Sequence, residues 1–103
     1  MRQIVFLPIA RKDLINVIDY IDADNPGAAL LVANNIEKEI SRLQSLPFLG
    51  KPCGTLDPAL RELRSIFIHP VLFFYEVGEN EIVIHRVLRS EQDWMKVVRN
   101  QSN

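Results

Sequence analysis

Residues 60–88 read LRELRSIFIHPVLFFYEVGENEIVIHRVL, and the period of this stretch decides the fold. β-Branched and aromatic residues fill three runs, Leu60–Ile68, Val71–Val77 and Ile82–Leu88, interrupted by His69-Pro70 and by Gly78-Glu79-Asn80-Glu81. Such runs fit a pleated, half-buried surface, and breaks this short join neighbouring strands antiparallel. The stretch predicts a three-stranded antiparallel meander. Arg61, Arg64, Arg86 and Arg89 lie in or beside the first and third runs, where a half-buried sheet would otherwise take apolar or uncharged residues. The planar guanidinium pairs bidentately with carboxylate or phosphate and stays charged. Their placement points to an anionic or acidic partner docked against the sheet. For Arg61 and Glu62 the plainer alternative is that edge-strand charges discourage sheet-to-sheet aggregation.

Upstream, Ile4, Val5, Phe6 and Leu7 form a strand-like run stopped by Pro8. From Arg11 to Asp24, Leu14, Ile15, Ile18 and Ile21 recur at helical spacing, with Asp13, Asp19 and Asp22 between them. Asn25-Pro26 breaks this helix and starts the next, with asparagine as cap and proline at the first helical position. Ala29, Ala33, Ile36, Ile40 and Leu43 carry the apolar stripe of a second helix that ends before Pro47. Three prolines and two glycines between Pro47 and Pro58 predict a loop. Downstream of the meander, the hydroxyl of Ser90 and acidic residues behind it predict a short terminal helix reaching Val98. Together these elements predict an α+β domain, in which an N-terminal strand and a helical hairpin pack on a small antiparallel sheet. The other face of that sheet is expected to be open to a partner.

A chain of 103 residues builds one modest core, so residues 1–103 are expected to form a single domain. With 48% hydrophobic and 24% charged residues it reads as a soluble globular protein, and no apolar run approaches the length of a membrane span. The apolar stretch at the N-terminus meets Arg11 and Lys12 too soon for a signal peptide, which predicts a cytoplasmic protein. Cys53 is the single cysteine, so neither an intrachain disulfide nor a thiolate metal cluster can form. A net charge of −1 argues against nonspecific nucleic-acid binding and leaves room only for a local patch. There is no glycine-rich phosphate loop, no nucleophile elbow and no paired-histidine metal motif, and no cofactor or metal is expected.

The ordered set A-x-x-D-L (Ala10, Asp13, Leu14), I-D-Y-I (18–21), N-P-x-A-A (25–29), L-P-x-x-G (46–50), L-R-E-L (60–63), F-Y-E-V (74–77) and R-V-L-R-x-x-x-D-W (86–94) resembles the RelE/ParE superfamily of bacterial type II toxins. The strand L-R-E-L and the ending up to Trp94 look closest to the ParE branch. The resemblance implies a toxin neutralised by a small ParD-like antitoxin encoded beside it and held with it in a hetero-oligomer. The antitoxin's C-terminal segment would wrap the toxin, and operator DNA would be reached only through the antitoxin's N-terminal part.

Two activities are implied by members of this superfamily, and fold does not choose between them. RelE-like members cleave messenger RNA in the ribosome, which requires a base near the ribose 2′-hydroxyl, cations around the phosphate and an acid for the leaving oxygen. Lys51, His69 and His85 are the candidates for that alternative, together with the arginines and Tyr75. Strand alternation, however, sends His85 and Arg86 to opposite faces unless a bulge intervenes. The tyrosine or histidine that ribosome-dependent members carry near the C-terminus has no counterpart after Arg86, and the family histidine following R-V-L is Arg89 here. ParE-like members poison DNA gyrase, and this is the reading favoured. Arg61, Arg64, Arg86, Arg89 and Trp94 are then the candidates for contact with target or antitoxin, and no catalytic residue is assigned. A third reading is a non-toxic scaffold that tightens the antitoxin on its operator. Structural roles stand beside each functional one. His69 before Pro70 suits a turn, His85 a sheet histidine with no evident carboxylate to orient it, and Trp94 a lid over one end of the core. Tyr20 and Tyr75 suit packing positions, with their hydroxyls at a polar edge.

Overall fold

A computed structural model describes residues 1–92 and 97–98. Strand β1 (Gln3–Phe6) leads into helices α1 (Pro8–Asp24) and α2 (Pro26–Arg42). Then come β2 (Lys51–Pro52), two short 3-10 helices (Cys53–Thr55 and Pro58–Leu60), β3 (Arg64–Ile68), β4 (Val71–Val77) and β5 (Glu81–Arg89). Proline opens both α-helices, where its missing N–H leaves no bond unmade. The extended backbone of Asn25 separates them, and its side chain accepts the Ala28 N–H at 3.1 Å.

Among the described residues the sheet has five strands in the order β1-β5-β4-β3-β2. The expected meander is present, with β3, β4 and β5 antiparallel. Strand β1 joins it parallel to β5, pairing Gln3 with Glu81 through Phe6 with Ile84, so the sheet is mixed. A parallel pair needs a long crossover, and the helical hairpin supplies part of it. Within the expected loop, Lys51 and Pro52 form the two-residue β2 against Ser65 and Arg64.

Helices and sheet bury one continuous core. Ala10, Val17, Ile36, Ile40 and Leu43 pack on Val71, Phe73, Tyr75, Ile82, Ile84 and Val87. Each large apolar side chain taken fully from water contributes about 1.5–3 kcal/mol. The second face is less open than the sequence suggests. Leu60–Leu63 does not extend β3: Asp57 caps the 3-10 helix at Pro58–Leu60 by accepting the Ala59 N–H, and Leu60 and Leu63 turn inward. With Cys53, Leu88 and Val98 they pack around Phe74 and cover part of that face. The predicted terminal helix falls mostly on residues outside those described, within which Val97 and Val98 are helical.

Two polar ties fix the frame. Tyr75, fully buried, donates its hydroxyl to the Pro47 carbonyl at 2.9 Å and accepts the Gly50 N–H at 2.8 Å. Burial pushes its pKa upward, so the hydroxyl keeps the proton it donates. A Cβ on residue 50 would lie 2.6 Å from both the Ser65 carbonyl oxygen and the Tyr75 hydroxyl, which explains the glycine of L-P-x-x-G. The second tie sits where β1 stops. Leu7 donates its N–H to Ile84, and beyond that point Asp13 of α1 accepts the Val87 N–H at 3.1 Å. The same carboxylate takes Arg86 bidentately, from Nε at 2.6 Å and Nη2 at 3.0 Å, with both side chains 13% exposed.

Tyr75→Phe leaves the Pro47 carbonyl and the Gly50 N–H without this partner and is expected to cost about 1–3 kcal/mol. Gly50→Ala is expected to cost a similar amount, about 1–3 kcal/mol, through overpacking against backbone. Both should lower the urea midpoint without changing the slope of the transition. Asp13→Ala removes the bidentate partner of Arg86 and the acceptor of the Val87 N–H and is expected to cost about 3–5 kcal/mol. Asp13→Ala combined with Arg86→Met should recover part of that loss in the same urea titration.

Candidate functional site

The four arginines do not line one sheet face. Arg61 lies between the 3-10 helix and β3 rather than on a strand, with its side chain 75% exposed and 3.8 Å from Glu62. Arg64 stands opposite Tyr75 and Arg89 opposite Val71, both on the register of the helix-covered face. Arg86 stands opposite Phe74 on the other side and reaches round the edge of β5 to Asp13. Arg64, Arg86 and Arg89 also have work inside the fold. Arg64 donates Nε to the Gly50 carbonyl at 3.1 Å and lies over the Phe48 ring, so it holds the loop ahead of β2. Arg89 stacks over the Tyr20 ring at 4.0 Å and pairs with Glu91 at 3.1 Å. Trp94 lies outside the described residues.

The nuclease candidates are dispersed. Lys51 is on β2, His69 sits in the turn before β4 with its ring edge-on to Phe67, and His85 is on β5. Strands β2 and β5 are three places apart, about 14 Å at ordinary strand spacing. The bulge left open by the sequence does exist: Phe74 pairs with Arg86 and Tyr75 with Ile84, so His85 is the extra residue. His85 and Arg86 consequently border the same cavity, with Glu62 and Glu76. Contrary to the sequence reading, His85 does have an orienting carboxylate, with Nε2 3.0 Å from Glu76 Oε1. The Cys53 thiol is buried and its pKa raised, chiefly by desolvation, which makes it a poor nucleophile. Among the described residues no cluster of three or more His, Cys, Asp or Glu is placed to hold a metal ion.

A groove opens between the helical hairpin and β1. Ile4, Phe6, Leu14, Ile18, Ile36 and Ile40 line a cavity of about 320 Å³ that is almost wholly apolar, with Glu37, Ser41 and Gln44 at its rim. Strand β1 ends the sheet there, so among the described residues its outer edge has no strand partner. Helical periodicity records that these side chains are apolar but not that the hairpin leaves them partly uncovered. Asp13 was also missed as a structural residue. It lies in register with Ala10 and Val17, both buried, and a carboxylate on that stripe signals a buried partner.

No described helix is long and apolar enough to cross a membrane. No match was found among curated protein sequences. The chain is similar in structure to a chain of the chromosomal ParDE toxin-antitoxin system from P. aeruginosa. That similarity has a TM-score of 0.71 at 23% identity and covers 88% of this chain and 98% of the other, a likeness of fold. The family described as the ParE toxin of the type II toxin-antitoxin system parDE matches residues 4–94, from the first strand to Trp94. This chain therefore belongs to the ParE toxin family of type II toxin-antitoxin systems.

Proposed function

We propose that the chain is a cytoplasmic toxin that binds DNA gyrase and stabilises its cleaved-DNA intermediate, and that a ParD-like antitoxin neutralises it. The observation that carries this reading is the family match over residues 4–94. The wide separation of Lys51 from His85 supports it further, because general acid–base cleavage of RNA needs its groups around one phosphate. Arg61, Arg64 and Arg89 remain candidates for target contact, and so does Trp94. For Arg86 we assign a supporting role, since its guanidinium already holds Asp13.

The antitoxin reading rests on the hairpin groove. An amphipathic helix buries its apolar face in such a groove, and an extended segment adds to an unpaired strand edge. The β1 margin offers both features side by side. The antitoxin would carry operator DNA, and the toxin would reach DNA through it.

Purified gyrase supercoiling relaxed plasmid in the presence of the toxin is the direct test, run beside a translating-ribosome assay. Accumulated cleaved plasmid with intact message is the expected result, whereas codon-positioned cuts in the message with normal supercoiling would move the activity to the ribosome. In cells, Ala33→Arg fills the hairpin groove and is expected to keep growth inhibition while abolishing rescue by the small reading frame encoded beside the toxin. Full rescue of that variant would move the antitoxin to another surface.

A further inference from the structure

A second apolar groove lies at the opposite margin of the sheet, where β2 parts from β3. Leu49, Leu56, Phe67, Leu72 and Phe74 line a cavity of about 440 Å³, with Lys51 as its one charged wall. Leu49, Leu56 and Phe67 are exposed by 42%, 64% and 55%, unusual for large apolar side chains gathered at one place. Strand β2 pairs with Arg64 and Ser65, so among the described residues Ile66–Ile68 continues past it without a strand partner on that side. In an antiparallel ladder alternate residues bond to the same side. The Ser65 carbonyl faces Gly50, so Phe67, two residues on, turns its N–H and C=O to the open edge.

Charge selects the occupant. Residues 46–69 carry the cations Lys51, Arg61 and Arg64 and the carboxylates Asp57 and Glu62. Asp57 is buried as a cap and Glu62 lies beside Arg61, which leaves Lys51, the charged residue that lines the groove, to set the sign of its rim. A second copy pairing about Phe67 would bring like charges together across the two-fold axis. Single-stranded nucleic acid stacks its bases on free aromatic faces. Here the Phe48 ring is covered by Arg64, and Leu49 and Leu56 offer no stacking face, which leaves Phe67 as the single exposed aromatic ring of the groove.

We propose that this groove docks an extended, acid-bearing segment of the protein on which the toxin acts, paired with β3 at Phe67 and anchored between Leu49, Leu56 and Phe67. The proposal rests on the reading that the chain acts by binding a protein target. It places that target at the margin opposite the hairpin groove.

The test compares wild type with Leu56→Ser/Phe67→Ser and with Lys51→Glu, each shown to be folded by circular dichroism and thermal melting. Growth inhibition on induction, affinity for purified gyrase, light scattering and binding of a labelled oligo-dT strand are measured in parallel. Loss of an apolar anchor at an interface centre typically exceeds 1 kcal/mol, so the double variant should weaken gyrase binding about tenfold or more. Growth inhibition should fall with it, and Lys51→Glu should follow in the same direction. Unchanged inhibition by both folded variants would overturn the proposal. So would a wild-type dimer that the substitutions dissociate, or oligo-dT binding that they abolish. If wild type inhibits growth without binding gyrase, the gyrase reading fails and the growth of the variants alone decides the docking site. If wild type neither inhibits growth nor binds gyrase, both readings fall.

Discussion

Everything in this fold hangs on the edge of β5, which finds two unlike partners along its length. Over Ile82–Ile84 it pairs with β1, and at Val87 the partner is the carboxylate of Asp13 on α1. A sheet strand buried against helices cannot leave an N–H unpaired without a cost of about 1–3 kcal/mol. A short first strand therefore requires an acceptor from elsewhere, and α1 brings one because it starts at Pro8, straight after β1 ends. The same carboxylate then holds Arg86, so two separate pieces of the family pattern, A-x-x-D-L and R-V-L, are halves of one contact.

Much of the architecture was legible in the residues. The helical hairpin, its Asn25-Pro26 break and the antiparallel meander follow from period and capping chemistry, which are local properties. Non-local properties were not legible. Whether β1 runs parallel or antiparallel to β5 depends on how the crossover packs. Leu60–Leu63 alternates like a strand, but Asp57-Pro58 starts a 3-10 helix that sends both leucines inward. The bulge at His85 leaves no trace in a sequence whose apolar pattern merely shifts by one.

The arginines show the same limit from the side of function. A guanidinium on a half-buried strand needs a partner, and Arg64, Arg86 and Arg89 stand on β3 and β5. Sequence could not say that Arg86 finds that partner in α1, Arg64 in the loop carbonyls and Arg89 in Tyr20. Charge that looked like a docking surface is to a large extent internal bracing. Apolar side chains, which attract less notice in a sequence, line grooves at the two sheet margins, partly buried beside β1 and exposed beside β2.

The buried hydroxyl of Tyr75 bears on how such a margin meets a partner. It ties Pro47 and Gly50 to the centre of β4, and Arg64 adds a third bond to the same loop. Leu49 and Lys51 are therefore held in position before anything arrives. A surface ordered in advance surrenders little conformational entropy on association, so more of its contact energy appears as affinity. Differences among partners at that margin would then be expressed in how long each stays bound rather than in how quickly each arrives.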